Sequence, residues 1–440
     1  MRGVKGPLLV AILLALALVP LGARGPFPFA LLLVCISLPF VITSVGQVFN
    51  NNAASYAHGP LLGGRAFVVL SLPLLVVAQA LSTIVRSGVA VPSFSMLQSF
   101  LFLAALGAFF VLASNSLAEK QGLRRLVFVL IAIATLEAAY AVFNLLSGNE
   151  RLLIYNRWAY PDSATGTLIS RNHFAFLMEM TLPLSLVSGT LFAATALRRQ
   201  ARTTPSDTTA RRILAGAAAA IIALALVFSR SRMGIFSFIM ALATVGTMNA
   251  LLRPGGQGQD RRSGRSAAPA ILAVVVLGYA VVIGIDPVLE RFFDVAQDME
   301  NGRWPIWNAA LGMFHDRPIL GHGWGSFEGL YPGYSGRPTG LYYDHAHNEY
   351  LEVLAEAGVV GLGLVAWLVF LFVRRLYRAL SRPLNPLQRG TVFALGVGIT
   401  SVLFHSAADF GLRVPGVALT FVVVVALFVR VTDEPALLES

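Results

Sequence analysis

Stretches of about 20 apolar residues recur along the whole chain, and each is long enough to cross a bilayer as a helix. They lie near residues 6–23, 27–46, 66–85, 94–114, 125–146, 173–196, 213–229, 233–252, 268–285, 350–373, 390–408 and 414–431. Hydrocarbon offers the backbone no hydrogen-bond partners, so a spanning segment must satisfy itself as a helix or within a closed barrel. Runs this long read as helices. The expected fold is all-α: a polytopic membrane helix bundle of about twelve transmembrane helices, with residues 1–440 as a single integral membrane domain. Composition agrees, since 56% of the 440 residues are hydrophobic and 12% are charged, against roughly 25% charged in soluble domains. The apolar stretch after Lys5 is read as a retained first span, because so many spans follow it. Cys35 is the one cysteine, lies in an apolar run and is expected to pack there.

The arginines and lysines orient the bundle. With both termini on the cytoplasmic side, 21 of the 33 Lys+Arg fall on cytoplasmic segments, and every strongly basic connection, such as 197–212 and 253–266, lies inside. The reverse arrangement would export all of them. The formal charge of +11 is then an expected contact with anionic membrane lipid, and no basic strip with interleaved aromatics points to nucleic acid. The other side carries two longer loops, 147–171 and 286–347, the latter lying between spans nine and ten. A loop as long as the second is usually functional or disordered, and its aromatics, prolines and helical pattern favour an ordered, partly helical one.

Four polar motifs map to that outer rim. Ser170-Arg171-Asn172-His173 opens span six, with Ser170 or Asn172 as a helix cap and Asn172 able to orient a neighbour. Glu179, two turns further on, is a candidate partner for an arginine. Ser229-Arg230-Ser231-Arg232 is the tight link between spans seven and eight. Two guanidiniums at a rim suit phosphate or pyrophosphate, with lipid headgroups as the other reading. His405 and Asp409 close span eleven.

The long loop supplies the rest. Arg303-Trp304-Pro305 opens a predicted helix. Trp304, Trp307, Leu311 and Phe314 form one apolar stripe, which suits a helix on the membrane surface or packed on the bundle. Arg303 at its N-terminus marks an anion site. Gly321-His322-Gly323-Trp324-Gly325 reads as a close-packed turn. The stretch from Asp344 to Gly358 packs His345 and His347 beside Glu349, Glu352 and Glu356, three carboxylates on one helical face. Ionisable groups at a bilayer margin mark function. The histidines alone leave metal ligation, a structural interface and general-base chemistry open, although no third ligand has diagnostic spacing. Gly358 and Gly361 are expected to allow tight helix packing below.

Taken in order, Ser170-Arg171-Asn172-His173-Phe174-Ala175, Ser229-Arg230-Ser231-Arg232-Met233-Gly234, Arg303 with Trp307, the stretch from Pro318 to Phe327, and His345-Ala346-His347-Asn348-Glu349-Tyr350-Leu351 through Gly358 resemble the O-antigen ligase/polymerase family of membrane glycosyltransferases. The resemblance covers about residues 165–365. It implies a glycan donor on undecaprenyl pyrophosphate, presented at the periplasmic face of the bacterial inner membrane. The acceptor is lipid A–core in a ligase or another lipid-linked glycan in a polymerase. It also implies a metal-independent, inverting transfer with no cofactor. By this resemblance His347 is the base, with His345 as an alternate or supporting histidine. Arg230, helped by Arg171, Arg303 and Arg232, binds pyrophosphate, and Asn172, His173, Asn348 and Glu352 support the site. Arg232 departs from the small residue many relatives carry there. The short tail ending at Ser440 lowers the expectation of a protein acceptor. A lipid-linked glycan transporter is the less favoured reading. Only Glu137 looks central in a span and no internal repeat is evident, whereas transporters place ionisable groups near the midplane of repeated halves. A non-catalytic assembly scaffold is a third.

Overall fold

Helices form where the apolar runs require them, and their polar ends decide how they are joined. The computed structural model describes residues 2–18, 32, 35–36, 94–117, 119–149, 151–153, 155–157, 159–198, 205–253, 303–336 and 343–438. The expected spans near 27–46, 66–85 and 268–285 lie outside the described residues, as do 286–302 and 337–342 of the long loop. In chain order the helices are α1 (Arg2–Leu18), α2 (Phe94–Ser116), α3 (Lys120–Leu146), α4 (Arg171–Arg198), α5 (Pro205–Phe228) and α6 (Arg232–Leu251). They continue with α7 (Trp304–Asp316), α8 (Phe327–Tyr334), α9 (Glu349–Leu380), α10 (Pro386–His405) and α11 (Pro415–Asp433). Seven of these, α2, α3, α5, α6, α9, α10 and α11, are long and apolar enough to cross a membrane. The all-helical expectation needs one small amendment: after α3 the chain doubles back through β1 (Arg151–Leu152) and β2 (Tyr155–Asn156), a two-residue antiparallel pair.

α4 is the middle of the bundle. Residues 173–185 are buried on every face, and the helix packs on α3, α5, α6, α10 and α11. All-round burial is what distinguishes a central helix from one with a single apolar stripe. Gly398 of α10 lies against the α4 backbone at Met180, an approach a side chain would prevent. The loop segment has its own small core of Ile306, Ala309, Ala310, Met313, Phe327, Tyr331, Ala346 and Ala355. This core sits on the start of α9. The expected stripe is therefore split: Trp304 and Leu311 are 49% and 36% exposed, Trp307 and Phe314 are half-buried with Trp307 donating to the Ala346 carbonyl at 3.1 Å, and Ile306, Ala309 and Met313 make the packed face.

Helix ends carry the expected chemistry. Asn385 and Gln388 form a reciprocal cap at the start of α10, with Pro386 in the first turn. Ser231 caps α6 by accepting from the Gly234 amide at 3.3 Å. Asn348 caps α9 by accepting from the Tyr350 and Leu351 amides, each at 3.1 Å.

α9 is not one rod. Gly358 takes φ 61° and ψ −162°, so the helix breaks there. The freed backbone groups are met by the glycine-rich turn: the Val359 amide donates to the Pro318 carbonyl at 2.8 Å and the Gly323 amide to the Glu356 carbonyl at 2.8 Å. Gly321 abuts the backbone at Glu356 and Ala357, so neither glycine has room for a side chain. The expectation that Gly358 serves helix packing below is thus corrected: it makes the break that docks the loop.

Candidate active site

The starts of α4, α6, α9 and α11 meet the ends of α5 and α10 at one end of the bundle, and the polar motifs gather there. Asp409, in the turn between α10 and α11, is their meeting point. His347 Nδ1 lies 3.3 Å from Asp409 Oδ1, the Asn172 amide nitrogen donates to Asp409 Oδ2, and the Phe410 amide donates to Oδ1 at 2.9 Å. The Asn172 carbonyl oxygen in turn accepts from the Ser231 hydroxyl at 2.9 Å. A continuous chain of polar contacts therefore runs from His347 through Asp409 and Asn172 to Ser231, next to Arg230. Burial alone would raise the Asp409 pKa, but the hydrogen bond with His347 and the nearby His173 and His405 hold it well below the usual carboxylate range. His173 Nε2 is 3.9 Å from Asp409 Oδ1.

The rings of His173, His345 and His347 surround Phe410, with centroids 4.8, 4.3 and 4.8 Å away. His345 belongs to a second cluster. Its Nδ1 is 2.7 Å from Glu352 Oε1, and Glu352 Oε2 accepts from the Ala346 amide at 2.8 Å. Arg413 reaches Glu352 at 3.2 Å, Glu356 at 2.8 Å and Glu349 at 3.5 Å, and its guanidinium lies 4.8 Å from the Trp324 ring centroid. The three carboxylates on one face of α9 thus converge on a single arginine. Burial opposes the Arg413 charge, but the three carboxylates, Glu352 foremost, hold it protonated beyond the ordinary arginine range. Burial would also lower the His345 pKa, yet Glu352 raises it.

The arginines named from the sequence are placed differently. Arg230 and Arg232 are exposed at the mouth of the bundle, and Arg303 stands at the start of α7. Among the described residues, no ion pair joins any of the three to a carboxylate. Arg230 has φ 52° and His347 has φ 49°, a backbone region uncommon outside glycine. Arg171 lies over the Tyr160 ring, 5.1 Å from its centroid.

Glu179 does not pair with an arginine, as the sequence suggested, but with His405 at 3.1 Å and Ser401 at 2.9 Å. It lies two turns below the rim in a fully buried position, where both partners come from α10 and His405 stacks on Phe176. The expected pairing of His405 with Asp409 as one motif therefore divides: Asp409 faces His347 and His405 faces Glu179. Asp409 was legible only as a polar group near a span end. Arg413 was legible only as an outer basic residue, because its three partners lie more than 50 residues away along the chain. No three His, Cys, Asp or Glu side chains among the described residues converge as metal ligands would.

A family model described as O-antigen ligase matches residues 217–366. The match runs from α5 into α9 and contains Arg230, Arg232, Arg303, His345 and His347; Asn172, Asp409 and Arg413 lie outside it. Over this stretch, about a third of the chain, the protein is similar to the O-antigen ligase family. No curated protein matches the chain.

Proposed function

We propose, from the match of residues 217–366 to O-antigen ligase, that this protein transfers a glycan from undecaprenyl pyrophosphate to a hydroxyl of lipid A–core at the periplasmic face of the bacterial inner membrane. The polar end of the bundle faces the periplasm in this reading, and the end bearing Lys120, Arg124, Arg378, Arg382 and Arg389 faces the cytoplasm. In this reading the acceptor binds against the chain segments that lead into Arg171 and His347.

The observation that carries the reading is the contact of His347 with Asp409, joined through Asn172 and Ser231 to the link that bears Arg230. A carboxylate at Nδ1 selects the tautomer that donates there, which leaves the Nε2 lone pair as base. His347 Nε2 takes the proton of the acceptor hydroxyl, and the oxygen attacks the anomeric carbon of the donor. The bond from that carbon to the pyrophosphate oxygen breaks, with inversion, and undecaprenyl pyrophosphate leaves. The imidazole then returns its proton to water. Charge grows on the pyrophosphate as the bond breaks, and preplaced guanidiniums stabilise it most at that moment. Arg230 supplies this, with Arg171, Arg232 and Arg303 as further anion contacts. His345 is less suited as the base because Glu352 favours its charged form. It supports the loop instead, while His173 and Asn172 orient Asp409.

The test is reconstitution in liposomes with a defined lipid-linked glycan and lipid A–core. Wild-type protein is expected to form the glycosylated core, and His347→Ala at equal folded abundance is expected to be slower by about 100-fold or more. Longer lipid-linked chains in place of glycosylated core would assign a polymerase. Wild-type transfer rates in His347→Ala would remove His347 from its role.

A further inference from the structure

Tyr160 has a conformation and a setting that nothing so far explains. Its φ is 53°, which is an outlier for a residue with a bulky ring. The ring is not buried in exchange: the residue remains 39% exposed. Arg171, the first residue of α4, lies over it, next to Asn172 and its contact with Asp409.

The segment around it is tied down at several points. The Ser163 amide donates to the Tyr160 carbonyl at 3.2 Å and the Ala164 amide to the Phe228 carbonyl at 2.8 Å, beside Ser229 and Arg230. Arg157 donates to the Ser163 carbonyl. Thr167 donates to Glu137 through its amide at 2.9 Å and its hydroxyl at 2.8 Å, which gives the buried Glu137 a partner in this loop. Strain at one residue persists where its neighbours over-determine it. Here they hold an open aromatic ring at the mouth of the bundle, backed by a guanidinium.

We propose that the part of the Tyr160 ring left open by Arg171 is the stacking platform for the pyranose joined to the donor pyrophosphate. A pyranose presents a face of C–H bonds, each slightly positive, which suits the negative face of an aromatic ring. Arg171 on the same ring is placed to meet the adjoining phosphate, so one pair of side chains reads the sugar and the anion together. The first sugar of the donor is the group that sits next to that phosphate. The inference rests on the donor class proposed above.

Tyr160→Gly is the informative variant, because glycine adopts the same φ without strain and the turn is retained. In the liposome assay it is expected to raise donor KM by about three- to tenfold, the range of one aromatic stacking contact. The acceptor KM and the inhibition constant of inorganic pyrophosphate stay at wild-type values. Tyr160→Phe and Tyr160→Trp keep a ring and are expected to restore donor KM to within about twofold. An unchanged donor KM in Tyr160→Gly, with wild-type protein active, overturns this inference alone. So does a rise in acceptor KM instead. A pyrophosphate inhibition constant that weakens in step would show that the ring only steadies Arg171, and would overturn it too. A wild-type protein that transfers nothing from this donor would remove the proposed function and this inference with it.

Discussion

Arg230 and His347 share a left-handed backbone, φ 52° and 49°. Each such residue costs on the order of 1–3 kcal/mol unless it is glycine. Arg230 is also exposed, so its side chain returns little by packing. Arg230→Gly is therefore expected to raise stability by about 1 kcal/mol, read as a higher unfolding temperature in detergent. The same change is expected to cut transfer about 100-fold or more, because an anion contact is lost. A variant that is both less stable and fully active would contradict the role given to Arg230. His345 makes a different statement through pH. Its pKa is raised in the folded protein, against the effect of burial, by Glu352. The pair therefore stabilises the fold fully below the unfolded imidazole pKa of about 6.5, and the contribution fades as pH rises through the raised value. The gap in unfolding temperature between wild type and His345→Gln is expected to be wide below the unfolded imidazole pKa and to narrow steadily as the pH is raised above it. A gap independent of pH would show that the contact does not depend on the imidazolium charge.

α9 joins the loop to the membrane part of the bundle. Its first turns carry Glu349, Glu352 and Glu356 to Arg413, and its break at Gly358 receives the backbone of residues 318–323. These are two independent attachments. The second depends on backbone approach alone, since a Cβ on Gly358 would meet the Ile319 and Pro318 carbonyls. Gly358→Ala is expected to cost about 1–3 kcal/mol in a thermal or chemical unfolding series. An increase in stability would mean that a straight α9 is the preferred state. The role of the break was not legible in Glu356-Ala357-Gly358, because glycine in an apolar run reads equally as a packing contact. The glycine-rich turn was legible as a turn, but its partner was not.

The bundle as a whole separates its charges. Glu349, His347, Asp409 and Arg413 lie at one end, while Lys120, Arg124, Arg378, Arg382 and Arg389 lie at the other. The orientation proposed from the basic loops can be checked in a Cys35→Ser background. Gly329→Cys, at a position open to a side chain, is expected to react with a membrane-impermeant maleimide added from the periplasmic side. Arg378→Cys, exposed at the basic end, is expected to react only after the membrane is opened. The opposite pattern would reverse the topology and place the candidate site in the cytoplasm.

The membrane-spanning helical class, the clustering of polar motifs at one end, the helix opened by Arg303-Trp304-Pro305 and the family resemblance were all readable along the chain. Each rests on local properties: apolar length, the lysine and arginine bias, cap and proline placement, and short motifs in a fixed order. Which carboxylate faces which histidine was not readable. Asp409 lies 62 residues from His347, and Glu179 lies 226 from His405. Contacts at such separations are decided by how α4, α9, α10 and α11 pack, since only packing brings buried polar groups close enough to satisfy one another. Periodicity put the carboxylates of α9 on one face; tertiary structure supplied Arg413 as the cation they share.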